Sequence, residues 1–418
     1  AAWPAPTPAK GKKADPLPLR SPFDEAPPAD LDEPVLRSDL VSVHGAVRQF
    51  WRYGAAIGDP TGAAFDDRLL ELLSAPLDST TNGATRALGR LGEALHDGHV
   101  FFAATTAPPP AGYLPVTFDH LADRRPVVRW SMIEGLAPGD TITAIDGLSI
   151  EAVYEDLLTW NGAATDGYAL DLASRQLAEL DAPTTYGVVD PDGVAREVTI
   201  DPQPYDLYVQ TPWEPSLRPS GRLADLGAPD IAFLNLASEV TFDTADALAV
   251  IDDAAGATGL VVDMRGYPAI SHYEVAAALI DGAFGSPQFL VNDRTGPDLL
   301  TVDVEQYPLL GTGAYTGPIV LLVGPGTASA AENFSMMLVG ADRVTVVGRR
   351  SAGTNGNITG LWMPGGLYFT FTGMEVLFPD GGPFHGIGIT PDVEVAPTAA
   401  DLRDGRDVEL EAAIALLR

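Results

Sequence analysis

The sequence predicts an α/β protein in three parts: helices first, a small β-rich module next, and a core of alternating strands and helices. Four continuous apolar runs predict the core strands, because strands covered on both faces lack the alternation of half-buried ones. These runs are Ile231–Leu236, Gly259–Val262, Ile319–Val323 and Val344–Val347. Helical patterns lie between them, and this order is typical of an α/β core.

The composition limits the classes of partner. The chain has 418 residues, enough for two or three domains, and a formal net charge of −32 from 57 acidic and 25 basic side chains. This charge repels phosphate backbones and anionic lipids, so we expect no nucleic-acid partner. No segment approaches the roughly 18 consecutive apolar residues of a membrane span. The absence of cysteine excludes a disulfide framework, a thiolate metal site and a cysteine nucleophile.

The N-terminal residues give two further signals. The chain begins Ala-Ala-Trp-Pro, which predicts an exported protein without its leader, either secreted or held in the periplasm or cell envelope. All three lysines, Lys10, Lys12 and Lys13, lie in the first thirteen residues. A mechanism that needs a lysine base in a folded core is therefore not expected.

Shifts in composition divide the chain into four segments. Residues 1–36 are rich in Pro, Ala, Lys and Asp without an apolar period, and they predict a flexible arm. Apolar residues at helical spacing over 37–105 predict a small helical bundle, with Asp39 as a candidate cap of its first helix. The pattern over residues 106–205 predicts the β-rich module, and the pattern over residues 206–418 predicts the α/β core. The core helices are predicted near Ala245–Ala255 and Tyr273–Ile280, after Ser329, and at Val408–Leu417.

The middle module contains short β-type runs between turns. These runs are Pro126–Trp130, Thr141–Ile145 and Ala195–Ile200. The segment GLAPGDTITAIDG, residues 135–147, has turn signals at Pro138-Gly139-Asp140 and at Asp146-Gly147. It resembles the core signature of a PDZ domain, a fold that binds extended peptides by adding a strand to a sheet edge. A β module that serves only packing is the alternative.

A serine lies where a core strand gives way to a helix, in the stretch VGPGTASAAENF. Unpaired amides and the dipole of a helix N-terminus stabilise negative charge, and acyl transfer at Ser329 needs donors of this kind. The alternative is that Ser329 or Thr327 only caps the helix. We interpret Glu332, one turn later, as a structural partner of Arg349 or Arg350.

A second stretch, GLVVDMRGYP, ends another core strand. It places Asp263, Arg265 and Gly266 at the carboxyl end of that strand, where open α/β sheets bind ligands. Backbone amides around Gly266 are candidate second donors to an oxyanion. The alternative is that Asp263 and Arg265 form a structural ion pair.

His99 is the candidate general base among the six histidines, because a serine needs a base at neutral pH and histidine is the usual one. It follows Gly98 at a predicted helix exit, in the stretch LHDGHVF. His96 and His99 also have the spacing of a metal pair. No third ligand and no HExxH motif accompany them, so we expect no metal site.

In this order, these stretches resemble the tail-specific serine peptidases, a family with a C-terminal-processing branch and a tricorn-like branch. The resemblance covers about residues 38–400 and rests on five motifs. They are D-G-H at Asp97–His99, the PDZ-like G-D-x-I-x-x-I-D-G, D-x-R-G at Asp263–Gly266, T-A-S-A-A-E at Thr327–Glu332 and G-I-G-I-x-P-D at Gly386–Asp392.

The resemblance implies both a fold and a chemistry. It implies a crotonase-like ββα core and, because lysine is absent from that core, the serine–histidine branch rather than the serine–lysine branch. Ser329 is then the nucleophile, His99 the general base, and amides near Gly266 and Ala330 the oxyanion hole. The implied partner is an extended or unfolded polypeptide, and no cofactor is implied. Members of the tricorn-like branch form large assemblies, so the resemblance leaves open whether this chain forms oligomers.

Two departures from the family pattern concern the site. In histidine-type relatives a glutamate that helps to orient the base commonly precedes the last glycine-rich turn, where this chain has His385. The candidate orienting groups are therefore Glu375, Asp380 and His385 itself. Tyr267 and Pro268 follow the Arg-Gly pair where asparagine and glycines are usual, and proline has no amide to donate. The alternatives are therefore a peptide-binding homologue with impaired catalysis and a hydrolase of esters or small amides.

Overall fold

The structure, a computed structural model, describes residues 31–418 except 106, 108, 213–215, 237–242, 269 and 297–298. Most of the predicted arm, residues 1–30, lies outside the described residues. The chain has helices at its start, several small sheets and two six-stranded sheets, so the predicted α/β class is confirmed. Within the described part of the chain, no helix is both long and apolar enough to cross a membrane.

The N-terminal layer consists of three helices, α1 (Glu33–Phe50), α2 (Ala63–Ser74) and α3 (Thr81–Glu93). Helix α1 begins inside the predicted arm and is capped by Asp32, whose side chain accepts a hydrogen bond from the Val35 amide. The prediction of Asp39 as the cap is wrong. Asp39 is buried within α1 and accepts a hydrogen bond from the Gly365 amide at 3.0 Å. A proline and a glutamate in the first turn favour the observed start.

A short strand and the β-rich module follow. Their elements are β1 (Phe101–Ala104), β2 (Gly112–Tyr113), β3 (Val116–His120), β4 (Pro126–Ser131), β5 (Thr141–Ile145), β6 (Leu148–Ser149), α4 (Ile150–Leu158), α5 (Asp166–Gln176), β7 (Glu179–Leu180), β8 (Thr184–Val189), β9 (Ala195–Ile200) and α6 (Tyr205–Tyr208). Strands β3-β4-β5-β8-β9 form an antiparallel sheet in that order, with β6 paired to β5. The predicted turn before β5 contains Gly139 at φ +91°, where a Cβ would lie 2.4 Å from the Ala399 carbonyl oxygen. Glycine is therefore required at this approach of the module to the core.

The remaining residues form the core. Its elements are β10 (Gly221–Leu223), β11 (Ala228–Asn235), α7 (Thr244–Asp253), β12 (Gly259–Asp263), α8 (His272–Leu279), β13 (Asp281–Gly285), β14 (Gln288–Gly296), β15 (Leu299–Glu305), β16 (Pro308–Thr312), β17 (Ile319–Val323), α9 (Ala330–Gly340), β18 (Thr345–Gly348), β19 (Ile358–Trp362), β20 (Leu367–Thr372), β21 (Glu375–Leu377), β22 (Val393–Glu394), α10 (Ala399–Arg403) and α11 (Val408–Leu416). The order β10-β11-β12-β17-β18-β22 builds the main sheet, in which every pair but the first is parallel.

Both faces of this main sheet are covered. Leu260 and Val262 pack into a cluster with residues of α7, α8 and α9, whereas Val261 packs into a second cluster with residues of α11. Side chains on both sides of β12 are therefore buried. This double burial explains why the core strands are continuous apolar runs in the sequence.

A smaller sheet connects the core to the helical layer. Its order is β1-β20-β19, and Phe369 and Phe371 of β20 pack among buried residues of α1 and α3. Residues from the predicted helical segment and the predicted core thus share one sheet and one hydrophobic cluster. Other small sheets pair β2 with β7, β13 with β16, and β14 with β15 and β21.

Candidate active site

The carboxyl ends of the adjacent parallel strands β12 and β17 lie at one edge of the main sheet. Thr327 joins the segments that leave them. Its hydroxyl donates to the Met264 carbonyl at 2.7 Å and accepts from the Gly324 amide at 2.9 Å. Thr327 therefore stabilises the turn rather than capping α9, and it brings the turn before Ser329 against the strand end that carries Gly266.

Ser329 immediately precedes α9 in a strained backbone conformation. Its φ of 55° and ψ of −111° are rarely adopted by residues other than glycine. The Ser329 amide donates to the Thr354 carbonyl at 2.9 Å and to Glu332 Oε2 at 3.1 Å. A sharp, strained turn from strand to helix is the arrangement that exposes the nucleophile in hydrolases with a serine elbow. Ser329 therefore lies at a sharp, strained turn directly before α9.

Glu332 stabilises the turn at Ser329 through hydrogen bonds. Its fully buried carboxyl group accepts hydrogen bonds from the Ser351 hydroxyl at 2.5 Å, the Gly353 amide at 2.7 Å, and the Ser329 and Thr354 amides, each at 3.1 Å. Burial raises the pKa of Glu332 to about 8, although all four donors favour the charged form. The carboxyl group thus links the start of α9 to the turn after β18.

The two arginines proposed as partners of Glu332 bond elsewhere. Arg349 donates to Asp119 Oδ1 at 2.5 Å, and Arg350 donates to the Ile387 carbonyl at 2.6 Å. The prediction of an arginine partner for Glu332 is wrong, because its carboxyl group faces backbone amides instead.

His99 lies on the loop between α3 and β1. The loop approaches its neighbours closely at Gly98, where a Cβ would lie 2.5 Å from Tyr168 Cε1 and 2.6 Å from Thr354 Oγ1. Burial lowers the pKa of His99 below its ordinary value, and the nearby Asp97 partly opposes this effect. The imidazole is therefore neutral near pH 7 and can accept a proton.

Thr354 joins the loop of His99 to the turn of Ser329. Its hydroxyl accepts from the Gly98 amide at 3.0 Å, and its carbonyl accepts from the Ser329 amide at 2.9 Å. The segment of His99 thus bonds the side chain of Thr354, and the segment of Ser329 bonds its backbone carbonyl. Sequence reasoning placed both on separate motifs, and the fold brings these motifs together.

A hydroxyl and a carboxylate support the imidazole of His99. His99 Nδ1 lies 2.8 Å from Thr372 Oγ1, and the same hydroxyl lies 2.7 Å from Asp97 Oδ1. Asp97 is fully buried and also accepts from the amides of His99 and Thr372, at 3.0 and 2.7 Å. Neither Asp97 nor Thr372 was among the predicted orienting groups.

The three predicted orienting groups occupy other positions. His385 is buried and stacks on Tyr53 at 3.8 Å between ring centroids, and its Nε2 lies 3.0 Å from the His96 carbonyl. Asp380 lies in an exposed turn and accepts from the Gly382 amide. Glu375 is the first residue of β21. Among the described residues, no hydrogen bond joins any of the three side chains to His99.

The predicted oxyanion donors are the amides of Gly266 and Ala330. Neither amide donates to another group among the described residues, so both remain available to a ligand. The guanidinium of Arg265, only 4% exposed, makes ion pairs instead. It bonds Asp263 at 2.6 Å, Asp407 at 2.8 Å and Glu409 at 2.6 Å. Arg265 therefore fixes the strand end, as the structural alternative expected.

Two further features bear on ligands. A cavity of about 460 Å³ lies beside Gly266 and is lined by the turn at Gly324 and by paired arginines and carboxylates. In the described part of the chain, histidines and carboxylates form no group of three or more that could hold a metal ion.

Comparisons with known proteins identify the relatives of this chain. Residues 230–395 match the model of peptidase family S41. The carboxyl-terminal-processing protease of Synechocystis sp. is 26% identical over 296 residues, which are 68% of this chain and 61% of that protein. The carboxy-terminal-processing protease of Bartonella bacilliformis is 28% identical over 161 residues, 36% of this chain and 34% of that protein. The chain thus spans less than two thirds of both relatives.

The fold is similar to a solved structure over nearly all of the chain. The crystal structure of mature CPAF matches with a TM-score of 0.70 and 17% identity, covering 92% of this chain and 97% of that chain. At this identity the likeness concerns the fold alone. It includes the helical layer and the middle module as well as the core.

Proposed function

We propose that this chain, whose residues 230–395 match peptidase family S41, is a tail-specific serine peptidase that cleaves extended or unfolded polypeptides. The proposal rests on one observation: Thr354 bonds the segment of His99 and the segment of Ser329 at the carboxyl edge of the main sheet. The unpaired amides of Gly266 and Ala330 lie at the same edge. A nucleophile, a base and oxyanion donors in one place are the minimum for acyl transfer.

In the proposed mechanism, Ser329 Oγ attacks the scissile carbonyl carbon and His99 accepts the hydroxyl proton. The amides of Gly266 and Ala330 donate to the oxyanion that forms. His99 then donates the proton to the leaving amine as the C–N bond breaks, which leaves an acyl ester on Ser329. Water, deprotonated by His99, hydrolyses this ester and restores the free serine.

The middle module has a role in the same proposal. Its antiparallel sheet carries two helices and the Pro-Gly-Asp turn before β5. We assign it a PDZ-like capture of extended peptide, because a strand added to a sheet edge binds main chain without a folded epitope. We further assign the core a crotonase-like ββα fold and the protein a location outside the cytoplasm. Cell fractionation tests the location, and sedimentation tests whether the chain forms oligomers.

The direct test is hydrolysis of an unfolded casein by the wild type, Ser329→Ala and His99→Ala. We expect activity in the wild type and its loss in both variants. Ser335→Ala is a matched control on α9, since among the described residues its buried hydroxyl bonds only the Ala331 carbonyl, and we expect it to retain activity. Undiminished activity in Ser329→Ala would refute the mechanism.

The same samples decide between the alternatives. Hydrolysis of small esters without hydrolysis of any peptide would favour the esterase alternative. Binding of unfolded casein without cleavage or acylation would favour a peptide-binding homologue.

A further inference from the structure

We propose that Thr372 and Asp97 are the positioning residues that orient His99, so that a hydroxyl and a carboxylate together take the place of the orienting glutamate. This inference rests on the proposed serine–histidine chemistry. Its starting observation is the chain of hydrogen bonds from Asp97 Oδ1 through Thr372 Oγ1 to His99 Nδ1, with lengths of 2.7 and 2.8 Å.

The direction of these bonds follows from counting protons. A threonine hydroxyl has one proton to donate and lone pairs to accept with, whereas an ionised carboxylate can only accept. The proton of Thr372 must therefore lie toward Asp97, since otherwise two lone pairs would face each other at 2.7 Å. The hydroxyl oxygen then accepts from His99 Nδ1–H. This arrangement leaves the lone pair on His99 Nε2, the atom that a general base would use.

The carboxylate is well held for this role. Asp97 is fully buried, and Thr372 contacts it at two points: the hydroxyl at Oδ1 and the amide at Oδ2, both at 2.7 Å. The His99 amide donates to Oδ1 at 3.0 Å. The same carboxylate thus fixes the backbone of the base and, through the hydroxyl, the tautomer of its ring. Its negative charge also favours the imidazolium that forms when His99 accepts a proton.

His385 has a different part in the same arrangement. Its Nε2 donates to the carbonyl of His96, a residue with a φ of 47°, and its ring stacks on Tyr53. It therefore supports the backbone of the loop and makes no hydrogen bond to the imidazole of His99. Burial lowers the pKa of His385 to about 4, so it adds no positive charge beside His99 near neutral pH. Among the described residues, Asp97 and His385 are the titratable groups that interact electrostatically with His99.

Substitution of Thr372 tests the proposal kinetically. Thr372→Val keeps the shape of the side chain and removes the acceptor for Nδ1–H, so the proton is free to move to Nε2, where it blocks the base. We expect kcat to fall by about 10- to 100-fold, part of what general-base catalysis contributes, with KM unchanged. Thr372→Ser restores the hydroxyl and should recover kcat to within a few-fold of the wild type. A valine variant with the kcat and pH profile of the wild type would overturn the proposal.

A spectroscopic test separates this proposal from the proposed function. Nitrogen-15 NMR of histidine-labelled protein, assigned by loss of a signal in His99→Ala, reports which ring nitrogen carries the proton. We expect Nδ1–H in the wild type and a shift toward Nε2–H in Thr372→Val, whether or not the protein hydrolyses peptides. An Nε2–H tautomer in the wild type contradicts the positioning role. Absence of hydrolysis in a wild type with Nδ1–H counts against the peptidase function alone.

Discussion

Glu332 offers a quantitative test of the turn that presents Ser329. Burial moves the pKa of its carboxyl group from an ordinary value of 4.5 to about 8 in the folded protein. The unfolded chain therefore releases this proton at lower pH than the folded protein does. Glu332 thus contributes its full stability below pH 4.5, and this contribution is lost as the pH rises through about 8. Over the interval from pH 5 to pH 8 the change is about 3 to 4 kcal/mol.

Replacement by glutamine removes this titration. Glu332→Gln is itself destabilising at pH 5, because its amide group turns an N–H toward backbone donors. The difference in unfolding free energy between this variant and the wild type should nevertheless change in favour of the variant by about 3 to 4 kcal/mol between pH 5 and pH 8. Urea unfolding at several pH values measures it, with the exposed Glu134→Gln as a control for the loss of one carboxylate.

A difference that stays constant with pH would refute the reasoning. It would mean that Glu332 is ionised in the folded protein throughout this range, so that its four donors outweigh the cost of burial. The turn before α9 would then contain a fixed negative charge beneath Ser329, and the electrostatics of the site would have to be revised.

Two other predictions concern the site and its support. Burial lowers the pKa of His99 below its ordinary value of 6.5, so kcat/KM should rise with pH along a limb centred below 6.5; a rising limb centred above this value would contradict the effect of burial. Asp119 is 5% exposed and accepts from both Arg129 and Arg349, at 2.7 and 2.5 Å, so Asp119→Ala should lower the unfolding free energy by about 3 kcal/mol in urea titration. Although burial alone would raise it, Arg349 and Arg129 hold the pKa of Asp119 well below 3.8. The contribution of Asp119 to the unfolding free energy is therefore present above pH 3.8 and lost under stronger acid. An Asp119→Ala variant as stable as the wild type would show that the ion pair of Asp119 and Arg349 does not link the middle module to the core.

Sequence patterns predict the elements of this protein well where one local rule dominates. The run Ile319–Val323 is a strand with the predicted bounds, because both of its faces are buried and every residue is apolar. The start of α1 was misplaced for a local reason, since the cap Asp32 precedes a proline that was assigned to the arm. A cap can be recognised only when the first turn is recognised with it.

The support of His99 could not be predicted in the same way. Asp97 and Thr372 are separated by 275 residues, and their contact depends on β20 pairing with β1 directly after the loop of His99. Polar alternation along β20 is the signal for Thr372, because Thr370 and Thr372 share one face while Phe369 and Phe371 share the other. The carboxylate of Asp97 lies two residues before the base in the sequence, whereas the family pattern points to the position of His385.

In the proposed mechanism, Ser329 is a nucleophile activated by His99. Covalent labelling with a fluorophosphonate probe, followed by mass spectrometry of the proteolysed protein, tests it most directly. We expect one adduct on the peptide that contains Ser329, with labelling greatly slowed in His99→Ala and absent in Ser329→Ala. A folded wild type that forms no adduct, or one that is labelled at another residue, would contradict it.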